Sequence, residues 1–357
     1  MPENSLSNNA ITGPIASIQN FINELTWADI SAHLPRDLQL DVLLLTLVIA
    51  VFIWWKRNGH GAKGANGQER KSGLFSFLFP KDIYTHVSAR VDIWLWVTLR
   101  LFHPLWTITA LIALGPSIEQ FFISSLVEQF GSSPELQPNW SWMLLYSFAT
   151  LMVYDFVFFL THYLFHKVPV FWAIHKVHHS AEVLTPLTRY REHVIAEPFW
   201  LAGSAFSYAS VAGVFAYLFN GTLTEASIMN ISLFMLLFGI TGSFRHYHVQ
   251  MHYPKWLSKW LHSPAMHHVH HSYLEKHWDV NFAAITSVWD RLFGVLYVPE
   301  KDEYTPWGLP PEKQHRYRSY WQNMIGPFRD WYDMAKNIKL KTEKQDRSEE
   351  ETPLQKQ

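Results

Sequence analysis

The chain contains no cysteine. That absence excludes a disulfide framework, thiolate-held iron–sulfur clusters, a cysteine-ligated haem and Cys-based zinc sites, so any metal must be held by nitrogen or oxygen ligands. Charge of one sign is also missing: 29 basic side chains stand against 30 acidic ones, for a net charge of −1. With no global field to draw it to polyanions, nucleic-acid binding is disfavoured. Internal repeats are absent, as is any glycine-rich flavin or nicotinamide fingerprint. What is present is uneven. The apolar residues gather into long blocks instead of amphipathic periods, and 15 of the 20 histidines fall between His162 and His277.

A bilayer core of about 30 Å requires roughly 20 mostly apolar helical residues. Five stretches approach this: 38–55, 92–114, 140–161, 198–219 and 226–244. The second carries Asp92, Arg100, His103 and Pro104, and the third holds Asp155, whose carboxylate is costly in lipid and therefore suggests function. No basic lead precedes the first stretch and no small-residue cleavage pattern follows it, so it reads as a retained span. Threading five spans from an outside N-terminus leaves 1–37, 115–139 and 220–225 outside, with Arg36 their one basic residue. Arg100 lies within a span and the other 27 basic residues face the opposite side, as the positive-inside bias expects of a cytoplasmic face. Trp54, Trp55, Trp94, Trp96, Trp140, Trp142 and Trp200 suit interfacial belts. The expected architecture is all-α: a multi-span membrane bundle with a histidine-rich, metal-binding cytoplasmic cap.

Composition divides the chain further. Residues 1–37 form a polar lead, 38–139 hold the first spans and their loops, 140–299 the histidine-rich domain, and 300–333 an interfacial segment. Residues 334–357 carry eleven charged side chains with no apolar period and are expected to be disordered.

The histidines are patterned. His162 and His166 are spaced i, i+4 at the end of the third span, and Asp155 lies seven and eleven residues before them on the same helical face. A carboxylate so placed can accept the second ring N–H of a metal-bound imidazole. His175, His178 and His179 follow an i, i+3, i+4 pattern that returns 92 positions later as His267, His270 and His271, with His268 projecting elsewhere. Several imidazoles on one face gain much from a shared cation. Between the boxes, RHYHVQMHYP offers His246, His248 and His252. Here His248 is taken as a ligand with His252 as its i, i+4 partner, and His246 stays open as the alternative. His193, in the stretch from Arg189, and His277 stay open as residues that complete the ligand set, against a surface or supporting position, and Trp278 with WDRLFG reads as packing near the interface. The patterned set is about the number that two metal ions require.

On these residues the sequence resembles the fatty acid hydroxylase and sterol desaturase superfamily of integral membrane di-iron enzymes, over roughly Trp140–Pro299. The resemblance rests on Asp155, His162, His166, the HKVHHS box at 175–180, His248, SPAMHHVHHS and DVNFAAITSVWDRLFGVLY. Tyr163, Ala283 and Val295 depart from residues common in that pattern, and the HYHV arrangement is closer to bacterial members. The resemblance implies a bacterial inner-membrane protein, adds Asn281 to the site, and implies two irons, O2 and a membrane lipid whose C–H bond is hydroxylated or desaturated. Without a redox-cofactor fingerprint in the chain, electrons are expected from a separate cytoplasmic donor.

Imidazole ligands alone also accept zinc, copper or nickel. The competing class is therefore a membrane protein that transports or stores a divalent metal. A transporter would place polar ligands at the bilayer midplane on broken helices in repeated halves; here the histidines flank the spans and no repeat is visible.

Overall fold

The computed structural model describes residues 40–60, 62–63, 69–228, 231–233, 236, 242–301 and 303–350. The described residues are essentially all helical, with two antiparallel pairs of two-residue strands, Ala62–Lys63 with Glu69–Arg70 and Ser227–Ile228 with Ile231–Ser232. Helix α1 (Leu40–Lys56) corresponds to the first expected span. The second span begins inside α2 (Val87–Ile108) but does not end in a loop. A π-helical stretch, Thr109–Leu114, carries the chain into α3 (Gly115–Phe130), so much of the expected outside segment 115–139 is helix. Pro104 and Pro116 each withhold an amide donor, which favours a change of helical register between them.

Helix α4 (Trp140–Lys167) starts at Asn139, whose side chain accepts from the Trp142 amide, and runs for 28 residues. At 1.5 Å per residue it is about 42 Å long, against a hydrocarbon thickness of about 30 Å, so its last turns, with His162 and His166, have room to stand clear of lipid. Helix α5 (Pro169–His179) follows after one residue, with proline at its first position. Helix α6 (Glu197–Phe219) ends at Asn220 in the left-handed conformation. Among the described residues, α4 and α6 are long and apolar enough to cross a membrane. They pack through Tyr146 stacked on Phe215 (4.6 Å) and Trp142 against Phe219. Gly213 lets α6 approach α3 closely, because a Cβ there would lie 2.7 Å from the Glu119 carbonyl oxygen.

The fifth expected span, 226–244, falls partly outside the described residues; of it, Ser227–Ser232 holds the short strand pair and Gly242 onward returns as a helical turn. Helix α7 (Pro264–His270), capped by Ser263, carries the second box. Helix α8 (Tyr320–Glu350) continues through most of the tail expected to be disordered. Its charged residues are mainly good helix formers of mixed sign, which can support a helix without an apolar face.

Two buried polar anchors hold α5 in place. Arg191, 1% exposed, donates to Asp92 Oδ1 of α2 (2.7 Å), to the Val177 carbonyl and to Ser180 Oγ. Thr188 Oγ1 donates to the other Asp92 oxygen at 2.6 Å. From the opposite side, Lys176 pairs with Asp330 of α8 and Ser180 Oγ donates to Asn323 Oδ1. Asp92 of the second expected span, through Arg191, therefore ties the histidine helix to α2.

Candidate metal centre

Nine histidines converge into two groups, each with ligand atoms lying within 4.8 Å of one another. Cluster A comprises His162, His166, His175, His179 and His270; cluster B comprises His178, His246, His267 and His271. Each i, i+3, i+4 box is divided between them. His175 and His179 go to cluster A and His178 to cluster B, whereas His267 and His271 go to cluster B and His270 to cluster A. The reason is helical: i+3 and i+4 lie about 100° apart around the axis, so one box can present two directions at once.

The Nε2 atoms face each other. In cluster A, His162 lies 3.1 Å from His175 and 3.0 Å from His270, and His166 lies 3.1 Å from His179. In cluster B, His246 lies 3.1 Å from His178, 2.9 Å from His267 and 3.2 Å from His271, and His267 and His271 are 3.1 Å apart. These contacts cannot all be hydrogen bonds, since a neutral imidazole has one N–H. His162 Nδ1 donates to the Phe282 carbonyl (2.8 Å) and His270 Nδ1 to the Val280 carbonyl (2.7 Å), which turns their Nε2 lone pairs inward. An ion about 2.1 Å from each nitrogen calls for ligand edges of roughly 3.0 Å in octahedral or 3.4 Å in tetrahedral geometry, and the observed spacings match the shorter figure. Burial pushes the ring pKa values of His175, His179, His246, His267, His270 and His271 well below their ordinary value, and that of His178 down to about 3. The rings are therefore neutral, as ligation requires. Donor type, spacing and orientation fit two metal ions.

Of the ten histidines expected as ligands, eight fall in these clusters and two do not. His248 is fully buried but donates from Nε2 to the Phe77 carbonyl (2.7 Å), and His252 lies outside both groups. His246 joins cluster B instead. The helical spacing used for His248 and His252 does not apply, because the chain leaves its helical turn at His246 and is non-helical through His252.

Asp155 also departs from expectation. Its carboxylate accepts no imidazole N–H; it takes the backbone amides of Ala284, Ile285 and Thr286 and the Thr286 hydroxyl, at 2.6–3.1 Å. Asp290 accepts the amides of Phe282 and Ala283. Together they fold the 282–286 segment so that the Phe282 carbonyl reaches His162. Asn281, with φ 60°, donates to the Met266 and Tyr297 carbonyls and accepts from the Tyr297 amide, so it shapes the same loop without reaching the clusters. His268 packs edge-on to Trp307, His193 donates to the Met324 carbonyl, and His277 meets Glu303 at 3.0 Å.

Sequence reasoning missed Glu192, whose Oε1 lies 3.5 Å from His178 Nδ1 and 3.8 Å from His175 Nδ1, facing one member of each cluster. It also missed Asp279, 3.5 Å from His166 Nδ1. Neither carries a spacing signal, because loops deliver both.

Two cavities reach the clusters. One of about 480 Å³ lies between α2, α4 and α6 and touches His162 and His175 of cluster A and His178, His246 and His267 of cluster B; Leu99, Val157, Phe158 and Trp200 form apolar wall. The other, about 250 Å³, reaches His166, His179 and His270 from beside Trp278, Asp279 and Lys313.

Residues 147–295 match the fatty acid hydroxylase family model, a span that contains all nine clustered histidines. The chain is 25% identical to an alkylglycerol monooxygenase of Xenopus tropicalis over 261 residues, covering 72% of this chain and 46% of that protein. It is 28% identical to the Danio rerio alkylglycerol monooxygenase over 46% of this chain and 32% of the relative, and 24% identical to the human one over 44% and 31%. The chain thus matches less than half the length of these relatives. No solved structure matches it. With its histidine boxes folded into two facing clusters inside the matched span, the 147–295 segment is similar to the fatty acid hydroxylase family.

Proposed function

We propose that the protein is a multi-pass, membrane-bound di-iron oxygenase that hydroxylates or desaturates a lipid C–H bond with O2 and electrons from a separate cytoplasmic donor. The observation that carries this reading is the pair of neutral histidine clusters opening onto one partly apolar cavity between helices that include the two apolar ones, α4 and α6. Iron bound there would supply O2 reduction and abstraction of hydrogen from an unactivated carbon. The chain's own part is positional. His162 and His270 are held by carbonyls, the Nδ1 edges of His175 and His178 face Glu192, and the Phe158 and Trp200 wall excludes water from the carbon to be oxidised. The clusters are placed at the cytoplasmic surface of a bacterial inner membrane, where an alkyl chain enters laterally; the length of α4 supports a position at a membrane surface, and the bias of basic side chains supports the cytoplasmic face.

The relatives' names make an alkylglycerol the first lipid to test. Purified protein should contain close to two irons per chain and consume O2 with a lipid and a reductant. Two zinc ions per chain, with no iron-dependent O2 uptake, would overturn the reading in favour of a metal store or transporter.

A further inference from the structure

The first half of α8, ahead of its charged tail, has two faces of different character. One is packed. Asn323 accepts from Ser180 Oγ (2.9 Å), Asp330 pairs with Lys176 (2.6 Å), and Trp331 Nε1 donates to the Val170 carbonyl (2.9 Å). Met324 packs with Val91 and Leu95 of α2 and Val177 of α5. The other face carries Trp321, Ile325, Phe328 and Tyr332, spaced i, i+4, i+7 and i+11. At about 100° per residue these four fall within roughly 60° of one another around the axis, opposite the packed side. They are 49–69% exposed. Lys336 and Lys339 take the next turns of the same line, so the apolar stripe stops at Tyr332.

Four large apolar side chains in one row differ from the single exposed residues of an ordinary surface, and such a row is how a helix lies in a membrane interface. The neighbours of the stripe indicate what covers it. Phe328 meets Trp331 edge-on (5.4 Å), and Trp331 packs with Phe171 around Phe165, Ile174 and Ala196. Phe171 in turn meets Phe199 of α6 at 5.3 Å. Val170 and Phe199 are themselves exposed, and α6 continues as a helix apolar enough to cross a membrane, with Phe206 exposed further along it. At the other end of the stripe, the Tyr320 hydroxyl hydrogen-bonds with Thr98 of α2 (2.8 Å), one turn before the exposed Leu101. The stripe is thus continuous with the outward apolar surfaces of α6 and α2.

We propose that the Trp321–Tyr332 face of α8 docks on the lipid bilayer, lying in its interfacial layer, and that α8 thereby fixes the depth of α5, which carries His175, His178 and His179. The ties at Val170, Lys176 and Ser180 run the length of α5, so α5 cannot change depth without α8. This rests on the reading of α4 and α6 as membrane spans.

The test places single nitroxide labels on the full-length, cysteine-free chain, reconstituted in vesicles of phosphatidylcholine and phosphatidylglycerol. Ile325→Cys and Tyr332→Cys probe the stripe, Asp333→Cys its polar flank, and Phe148→Cys the exposed side of α4. Relaxation by O2, which concentrates in hydrocarbon, is compared with relaxation by a water-soluble nickel chelate. Labels at Ile325, Tyr332 and Phe148 should favour O2, and the label at Asp333 should favour nickel. Stripe labels that favour nickel while Phe148 favours O2 overturn the docking and leave the membrane reading intact. A Phe148 label that favours nickel overturns the membrane reading, and the docking with it. Stripe labels shielded from both reagents also overturn the docking, by revealing a protein on that face, such as a second copy of the chain. A label at Val170→Cys reports the depth of α5. In the Ile325→Glu, Tyr332→Glu background it should shift toward nickel, with the melting temperature in detergent unchanged because both side chains are exposed. Should the double variant not fold, Tyr332→Glu alone decides. An unshifted Val170 label overturns the role of α8 in setting depth.

Discussion

Clusters A and B draw on the same two boxes, yet the protein holds them differently. Cluster A has five members, and three of its outer ring nitrogens face acceptors, the Phe282 carbonyl for His162, the Val280 carbonyl for His270 and Asp279 near His166, while His175 Nδ1 has no hydrogen-bond partner. In cluster B the Nδ1 atoms of His246, His267 and His271 are buried without a hydrogen-bond partner, and only His178 faces a carboxylate, at 3.5 Å. Cluster A lines both of the cavities described, and cluster B lines the larger of the two. The difference is that backbone carbonyls fix two rings of cluster A, whereas the rings of cluster B are oriented mainly by packing against one another. On this view cluster A is held the more rigidly, and the rings of cluster B have more freedom to adjust.

The largest expected effect breaks one cluster at a time. His270→Ala should abolish metal binding in cluster A and His246→Ala in cluster B, each ending turnover, while His248→Ala should keep both metals. Metal content per chain and O2 uptake check this. Loss of metal in His248→Ala with full occupancy in His246→Ala would restore the ligand assignment expected from helical spacing.

Glu192 sharpens the comparison because it faces both clusters. Glu192→Gln should lower metal affinity or turnover by about 10- to 100-fold, the usual loss when the partner of a ligand imidazole is weakened. Chelator competition should show both sites affected. An effect confined to one site would mean that the carboxylate serves only the nearer ring.

Asp155 should distinguish the clusters most finely. Its four accepted hydrogen bonds hold the segment that carries the Phe282 carbonyl, so Asp155→Asn should cost about 1–3 kcal/mol of stability in denaturant unfolding. Metal affinity should fall in cluster A and stay unchanged in cluster B. Equal loss at both would show that Asp155 supports the whole domain instead of one ring.

Much of the site was legible in the sequence because histidine spacing on a helix is a local property. The i, i+3, i+4 pattern and the i, i+4 pair at the end of α4 identify eight of the nine clustered rings. His246 was left as an alternative because its segment is non-helical, where periodicity carries no information. Asp155 stands out in the sequence as a carboxylate in an apolar stretch, but its partners lie about 130 positions away, and no spacing rule connects them. Glu192, Asp279 and the carbonyls of Val280 and Phe282 gave no signal, since any residue can supply a carbonyl.

By itself, the sequence determined an essentially helical protein with long apolar stretches, of which five read as spans, two histidine boxes, and nitrogen or oxygen ligands for any metal. These follow from composition and from the 3.6-residue period, which act within a few turns of chain. Tertiary structure alone decided how each box is split between two clusters, which of the RHYHVQMHYP histidines joins them, what Asp155 holds, and that Glu192 faces a ring of each cluster. Each of these depends on segments distant in sequence being packed together, and the interactions that choose among such arrangements exist only once the chain has folded.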